Sequence, residues 1–227
     1  MTLAPEIKSP PHKSPKDVIF PPGDLYSDEP PLESELHLRQ IILLLQCLEQ
    51  FWKKRNDFYA AGNLTIYYSQ DQRRTEDFRG PDFFVVLETN RKTRKSWVVW
   101  EEGGKYPNAI IEILSPSTAK VDKTDKKKLY QNTFKTPNYF WFDPVSLELA
   151  GFRLVNGRYR KLKANAQNQL WSAQLQLFLG VRGGILRFFA PNGQLVPTPQ
   201  EEAESAQQRA EKLAAKLREL NIDPDTI

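Results

Sequence analysis

The longest amphipathic signal in the chain begins at Ser34 and runs through ESELHLRQIILLLQCLEQFWKKRND. Leu38, Ile41, Leu45, Leu48 and Trp52 recur at steps of three and four, the spacing that gives a helix one apolar face. Ile42, Leu43 and Leu44 widen that face, which predicts a well-buried helix. Ser34 is placed to cap it, and Lys53, Lys54 and Arg55 fall near its end, where the helix dipole favours cations. The apolar runs that follow are shorter, β-branched and aromatic. Residues 62–68 (GNLTIYY), 83–87 (FFVVL), 109–114 (AIIEIL) and 139–142 (YFWF) each read as a strand. Residues 97–100 (WVVW) read as a strand or as a flap over a substrate. Residues 122–133 (DKTDKKKLYQNT) read as a short helix between two strands. Asn156-Gly157 stands between two strand-like runs, the strongest short hairpin signal in the chain. Gly183-Gly184 and Asn192-Gly193 mark further turns.

This order predicts an α/β fold: a central mixed β-sheet of four or five strands flanked by helices, with added antiparallel strands over 147–190 and a C-terminal helix. The long first helix and the 122–133 helix are expected to flank the core. The two ends differ from the middle. Pro10-Pro11, Pro21-Pro22 and Pro30-Pro31 block helix propagation in residues 1–33, so this segment reads as an extended proline-rich arm. Residues 34–198 carry the core pattern. In the tail, residues 199–227, Ala203, Ala206, Ala210, Leu213, Leu217 and Leu220 step by three and four among charged residues. That heptad-like stripe predicts a solvent-exposed helix able to pair with a second copy, hence a homodimer.

Composition narrows the class. At 227 residues with 40% hydrophobic side chains the chain can build one good core, and it is too apolar for a disordered protein. The single cysteine, Cys47, can neither close an intramolecular disulfide nor hold zinc, and in its apolar run it reads as a small core residue. The longest apolar runs are far too short to cross a bilayer, and the first residues lack the apolar stretch of a signal peptide. A cytoplasmic protein with no membrane partner is expected. The formal charge of +4 permits an anionic partner without demanding one. The basic residues are locally dense, in RKTRK at 91–95 and KVDKTDKKK at 120–128; such runs read as solvated faces or as phosphate contacts.

Two carboxylates stand out. Asp82 follows Pro81 at the mouth of a very apolar strand, where it caps a turn or reaches a cleft. Glu112 lies inside AIIEIL, and an ionised Glu in a buried strand is costly unless something pairs with it. A structural salt bridge or an edge strand would answer that cost. So would a divalent metal, which would give carboxylates on neighbouring strands a shared task. Lys126, Lys127 and Lys128 follow on the 122–133 helix, where one of them is placed to return over the strand end; Asp122 and Asp125 read equally as partners of these lysines on a solvated surface. Trp97, Trp100, Tyr106 and Tyr139 are candidates for base stacking, with core packing the alternative. No Gly-rich loop followed by Lys-Ser or Lys-Thr suggests a P-loop, and no His/Cys cluster suggests zinc. No organic cofactor is expected.

ESELHLRQI at 33–41, PDFFVV at 81–86, PNAIIEILSPST at 107–118, KTDKKKLYQNTFKTPNYFWFDP at 123–144 and LELAGFRLVNGRY at 147–159 together resemble the Uma2 family of endonucleases (DUF820), in the family's order and of its cyanobacterial type. That family is placed in the PD-(D/E)xK nuclease superfamily. The resemblance implies a restriction-endonuclease-like core and Mg²⁺-dependent hydrolysis of DNA, with Mn²⁺ able to substitute. Asp82 resembles the aspartate of the PD motif and Glu112 the acidic residue of the second half-motif. With the backbone carbonyl of Ile113 they would bind the metal. The position two beyond Glu112 is Leu114, so the literal (D/E)xK spelling is absent. The catalytic lysine then comes from the following helix in a Lys-x-x-x-Tyr pattern, here Lys126 with Tyr130, with Lys127 and Lys128 as rivals. Glu35 resembles the acidic residue that superfamily members add from the first helix, with His37 as its rival. The alternatives are a nucleic-acid-binding or protein-interaction module that kept the fold and lost turnover, and a structural protein associating through its tail.

Overall fold

The computed structural model of the protein describes residues 26–27, 34–68, 78–220 and 222–224. Of the expected proline-rich arm, only Tyr26 and Ser27 fall among them; the rest lies outside the described residues. Tyr26 and Ser27 touch the domain: the Tyr67 hydroxyl donates to the Tyr26 carbonyl at 3.0 Å, and the Ser27 hydroxyl meets Thr65 Oγ1 at 2.9 Å.

The first helix, α1 (Glu35–Phe51), starts where Ser34 caps it, the Ser34 hydroxyl accepting the His37 N–H at 3.2 Å. Its buried stripe is His37, Gln40, Ile41, Leu44, Cys47 and Leu48. That is turned from the expected one: Leu38 and Ile42 are exposed, and a glutamine takes a core position. Gln40 reaches the backbone of Leu186, accepting its N–H and donating to its carbonyl, each at 2.9 Å. The amide thus acts as a strand edge for a partner 146 residues away. Gln40→Ala orphans both Leu186 groups in a buried place, so a loss of roughly 2–4 kcal/mol of unfolding free energy is expected in a urea titration; a change within error of zero would show that water replaces the amide.

Central to the fold is one mixed sheet of six strands: β1 (Phe58–Gly62), β4 (Phe83–Leu87), β6 (Ala109–Ile113), β7 (Asn138–Phe142), β8 (Leu149–Val155) and β9 (Arg158–Lys161), in the order β1-β4-β6-β7-β8-β9. The expected four or five strands become six because Phe58–Gly62, too rich in alanine to signal a strand, pairs along the whole of β4, and because the β8–β9 hairpin extends the same sheet. Only β6 and β7 run parallel. Their crossover is the helical segment α2 (Ala119–Val121), a π turn at Asp122–Lys126, and α3 (Lys127–Asn132). The β8–β9 turn is Asn156-Gly157, both with positive φ (51° and 73°), the backbone that an Asn-Gly hairpin requires.

Each face of the sheet has its own core. Alternate side chains Phe83, Val85, Ile111, Phe140 and Phe142 pack against α1 and a three-stranded sheet of β10 (Leu170–Ser172), β11 (Leu177–Arg182) and β12 (Ile185–Phe189). The other set, Phe84, Val86, Ile110, Tyr139 and Trp141, packs against Tyr130, Phe134 and Trp97. Trp97 belongs to a small sheet, β3-β2-β5, made of β2 (Ile66–Tyr67), β3 (Phe78–Arg79) and β5 (Trp97–Val98). It is no flap: its ring is fully buried, stacked on Tyr59, and its Nε1–H donates to the Lys105 carbonyl at 2.8 Å.

The last helix, α4 (Pro199–Glu219), opens with a capping box in which Thr198 and Glu201 exchange hydrogen bonds. The buried Arg187 guanidinium anchors that turn. It donates to both Glu201 oxygens (2.9 and 2.6 Å) and to the Val196 carbonyl, and it holds the Glu201 carboxyl down at about 2. Beyond Glu202 the helix stands mostly in solvent. No described helix is long and apolar enough to cross a membrane.

Candidate active site

The site forms where β4 begins and β6 ends. The ladder between these antiparallel strands pairs Phe83 with Ile111 and goes no further, so the next inward-turned N–H of β6, that of Ile113, needs another acceptor. Asp82 supplies it: its Oδ2 accepts the Ile113 N–H at 2.6 Å. The Asp82 N–H in turn donates to Glu112 Oε2 at 3.2 Å. The proline before Asp82 and the strand after it fix the backbone, and the two expected residues meet at this strand end through the Asp82 N–H and the Ile113 N–H.

Glu112 is fully buried between Ile111 and Ile113, opposite Trp141 in the parallel register. Two groups answer its carboxylate besides the Asp82 N–H. The Tyr130 hydroxyl donates to Oε1 at 2.7 Å, and the Lys126 ammonium lies 3.1 Å from Oε2. Lys126 also reaches Asp122 Oδ1 at 2.9 Å. Asp122 is itself buried, and its backbone carbonyl accepts the Tyr139 hydroxyl at 2.8 Å. Asp122 and Lys126 bracket the π turn, a widened helical turn of the kind that recurs at functional sites.

The electrostatics follow from burial and crowding. Burial pushes the Glu112 carboxyl well above the usual range; Lys126 opposes this, while Asp82 and Asp122 add to it. Asp122 is raised for the same leading reason. For Lys126, burial works against the ammonium, but Glu112, Asp122 and Asp82 outweigh it and push its pKa up. Tyr130 is held well above its ordinary value by burial and by Glu112, so it stays a hydrogen-bond donor. The cluster thus holds three carboxyls around one firmly protonated lysine.

Lys127 and Lys128 point elsewhere, as the turn of about 100° per helical residue requires. Lys128 is exposed, and the Lys127 ammonium sits 3.5 Å from the centroid of the Phe152 ring. Tyr130, four residues on from Lys126, meets Glu112 through its hydroxyl.

Glu35 is not brought to the site. Its side chain is 73% exposed and pairs with Arg39 at 2.6 Å, one turn on along the solvent face of α1. Its rival takes the place: His37 is buried, with Nε2 3.1 Å from Asp82 Oδ1. Two residues on a helix differ by about 200°, so α1 cannot aim both inward. Of the aromatic candidates, Trp97 and Tyr139 are fully buried, while Trp100 and Tyr106 are half-buried, Tyr106 lying 5.0 Å from Phe134, ring to ring. Asp122 is the residue that sequence reasoning left on the surface. Its position four before Lys126 was a fair signal of an ion pair; that the pair would be buried was not.

Metal fit can be judged from the donors. Asp122 Oδ1 is held by Lys126 at 2.9 Å while Oδ2 is buried with no hydrogen bond among the described residues, and the three carboxyls outnumber the one lysine. Among the described residues no three His, Cys, Asp or Glu side chains form a ready cage. Two carboxylates with a backbone carbonyl and water nonetheless suit Mg²⁺, which keeps several of its waters and takes few protein ligands. Within a strand the N–H and C=O of one residue point to the same side, so the Ile113 carbonyl faces the Asp82 side.

A solved structure from Anabaena variabilis, described as a putative nuclease belonging to DUF820, is similar to this chain at 16% identity and a TM-score of 0.47, covering 64% of this chain and 76% of that one. No curated protein matches. The profile of the Uma2 family, described as "Putative restriction endonuclease", matches residues 8–187, and the chain belongs to that family.

Proposed function

We propose that this protein is a metal-dependent endonuclease that hydrolyses phosphodiester bonds in DNA with Mg²⁺, and that Asp82, Glu112 and Lys126 are its catalytic residues. One observation carries the reading: a lysine from the crossover helix lies 3.1 Å from a carboxylate on a fully buried strand, beside the aspartate of the neighbouring strand. Membership of a family described as putative restriction endonucleases supports the nuclease reading.

Asp82, Glu112 and the Ile113 carbonyl would hold the ion. When bound, Mg²⁺ supplies neutralising charge to the phosphoryl oxygens and lowers the pKa of a bound water. The remaining work falls to the chain. Lys126, kept protonated by its neighbours, presents fixed positive charge where the phosphorane develops negative charge. Tyr130 fixes the direction of the Glu112 carboxylate, and His37 that of Asp82. Full-length protein with Mg²⁺ should nick supercoiled plasmid and should stop on chelation; intact plasmid across a range of metals and pH would sink the proposal.

A second reading has an observation in its favour. Lys126 is already shared between Glu112 and Asp122, so the cluster satisfies itself as a buried structural ion pair does. A DNA-binding module without turnover would look like this, and it would bind plasmid without cutting it.

The protein is further proposed to act as a cytoplasmic homodimer. Duplex cleavage takes two strand breaks, and along the heptad stripe Leu213 of α4 and Leu220, which caps its end, are 63% and 61% exposed. Sedimentation should give a dimer that Leu213→Glu/Leu220→Glu converts to monomer; a monomeric wild type would remove α4 as an interface.

A further inference from the structure

The strand β9 ends the central sheet, and it carries more positive charge than its fold can use. Between Leu149 and Lys163 there are five basic residues and no acidic one. Arg153 and Arg160 face each other directly across the β8–β9 ladder, a like-charge pairing that destabilises a hairpin. On the other face of β9, Lys161 stands near Lys127 of α3, whose pKa is lowered first by burial and then by Lys161. Arg158, Arg160, Lys161 and Lys163 are all exposed, and no ion pair with a carboxylate is formed by any of them among the described residues.

Charges on an edge strand also deter pairing with other chains. That role needs one or two and explains neither the opposed arginines nor the absence of acids. The location adds a second argument. The rim is tied to the helix that holds the site: Gln131 of α3 accepts the Tyr159 N–H at 2.7 Å, and the Tyr159 hydroxyl donates to the Thr136 carbonyl. Lys126 points into the acidic cluster, and the next residue, Lys127, leans over Phe152 toward Lys161. Lys126, Lys127 and Lys161 thus succeed one another between the site and the sheet edge.

From this we infer that the rim formed by β9 and α3 is the surface that takes the phosphate backbone of a DNA duplex and leads it to the acidic cluster. The inference rests on the nuclease reading for the identity of the polyanion, but its test does not depend on cleavage. The acidic cluster repels phosphate until a cation is bound, so the affinity must come from outside it, and the rim is the nearest exposed source.

The test is fluorescence anisotropy of a short labelled duplex with the full chain, in chelator, across a series of KCl concentrations. Arg158→Gln/Arg160→Gln/Lys161→Gln should weaken binding tenfold or more and flatten the slope of log K against log salt by roughly 2–3, close to 0.9 per lost phosphate contact. Lys212→Gln/Lys216→Gln/Arg218→Gln in α4 removes the same charge elsewhere and should leave the slope unchanged. Equal losses in the two variants, an unchanged slope in the rim variant, binding of single-stranded RNA alone, or a wild type that binds no duplex would each overturn the inference. Circular dichroism confirms that each variant is folded. A wild type that cuts plasmid while the rim variant binds normally would sink only this inference. A wild type that binds through the rim and never cuts would sink only the nuclease reading.

Discussion

Lys126→Met should reduce Mg²⁺-dependent plasmid cleavage by about 10²–10³-fold, the cost of losing one preorganised charge from a transition state, while the protein stays folded. The folding half of that expectation needs an argument, because Lys126 is held by two buried carboxylates. Removing one partner of a buried pair typically costs roughly 3–5 kcal/mol when the other must stay charged. Here it need not. Burial already pushes Glu112 up, and Lys126 is the main influence pulling it down. Without the lysine Glu112 keeps a proton, Tyr130 still satisfies one of its oxygens, and most of the penalty is avoided. Methionine fills the space of the lysine stem. Glu112→Gln should lose cleavage at least as completely, since the ligand and the partner of the lysine go together. Lys128→Ala, on an exposed side chain of α3, should weaken duplex binding modestly and leave the rate at saturating plasmid near the wild-type value. If Lys126→Met cuts as fast as wild type, the lysine holds the crossover helix in place and does no chemistry. Circular dichroism and a gel assay over a time course measure both halves.

Which parts of this site were legible in the sequence follows from what each residue's neighbours reveal. Glu112 was legible because five apolar neighbours made its burial certain and its charge an anomaly. Asp82 was legible because a proline and an apolar strand fixed its place at a strand mouth. Helical geometry said that Lys126, Lys127 and Lys128 could not all enter one site; only the resemblance, through its Lys-x-x-x-Tyr pattern, favoured Lys126 over its two rivals. The choice between Glu35 and His37 was not legible: both stand in the first turn of α1, and only the packing of β12 against Gln40 sets which way the helix is rolled. That roll also turned the core stripe away from Leu38 and toward Cys47 and Leu44. Asp122 was hidden for a related reason. Its burial comes from the π turn and from Tyr139 beneath it, and no local pattern announces a widened turn. In the fold, strands with β-branched or aromatic runs were readable. Phe58–Gly62 was not, because alanine and glycine carry no strand signal and its place is imposed by β4. Leu170–Ser172 is three residues long and exists as a partner for β11.

The stability of the metal-free protein should fall as pH rises, and Glu112→Gln should remove most of that fall. The sign follows from proton binding. The Glu112 carboxyl titrates well above its ordinary value of 4.5 in the folded protein, mainly through burial, and returns to that value when the chain unfolds. Over the interval between the two values the folded state holds a proton that the unfolded state has released. The stabilisation is complete below about 4.5, the unfolded carboxyl's value, and is lost as pH climbs through the folded value. Every tenfold difference in proton affinity is worth about 1.4 kcal/mol. Asp122 contributes in the same direction. Glu201 acts oppositely, since Arg187 holds its carboxyl at about 2 and its contribution fades only as pH falls from 4.5 toward that value. The two windows do not overlap, and Glu201 is untouched in Glu112→Gln, so the difference between wild type and variant isolates the buried site. Glutamine keeps the Tyr130 contact and carries no charge to desolvate, so the variant should match wild type in acid and exceed it above neutrality. Mg²⁺ binds the ionised carboxylate, so it should stabilise wild type most at high pH and leave the variant unmoved. Thermal melts over a pH series, with chelator and with Mg²⁺, measure all of this. Parallel wild-type and variant curves would mean that Glu112 is ionised at every pH through its pairing with Lys126, and that the buried ion pair is structural.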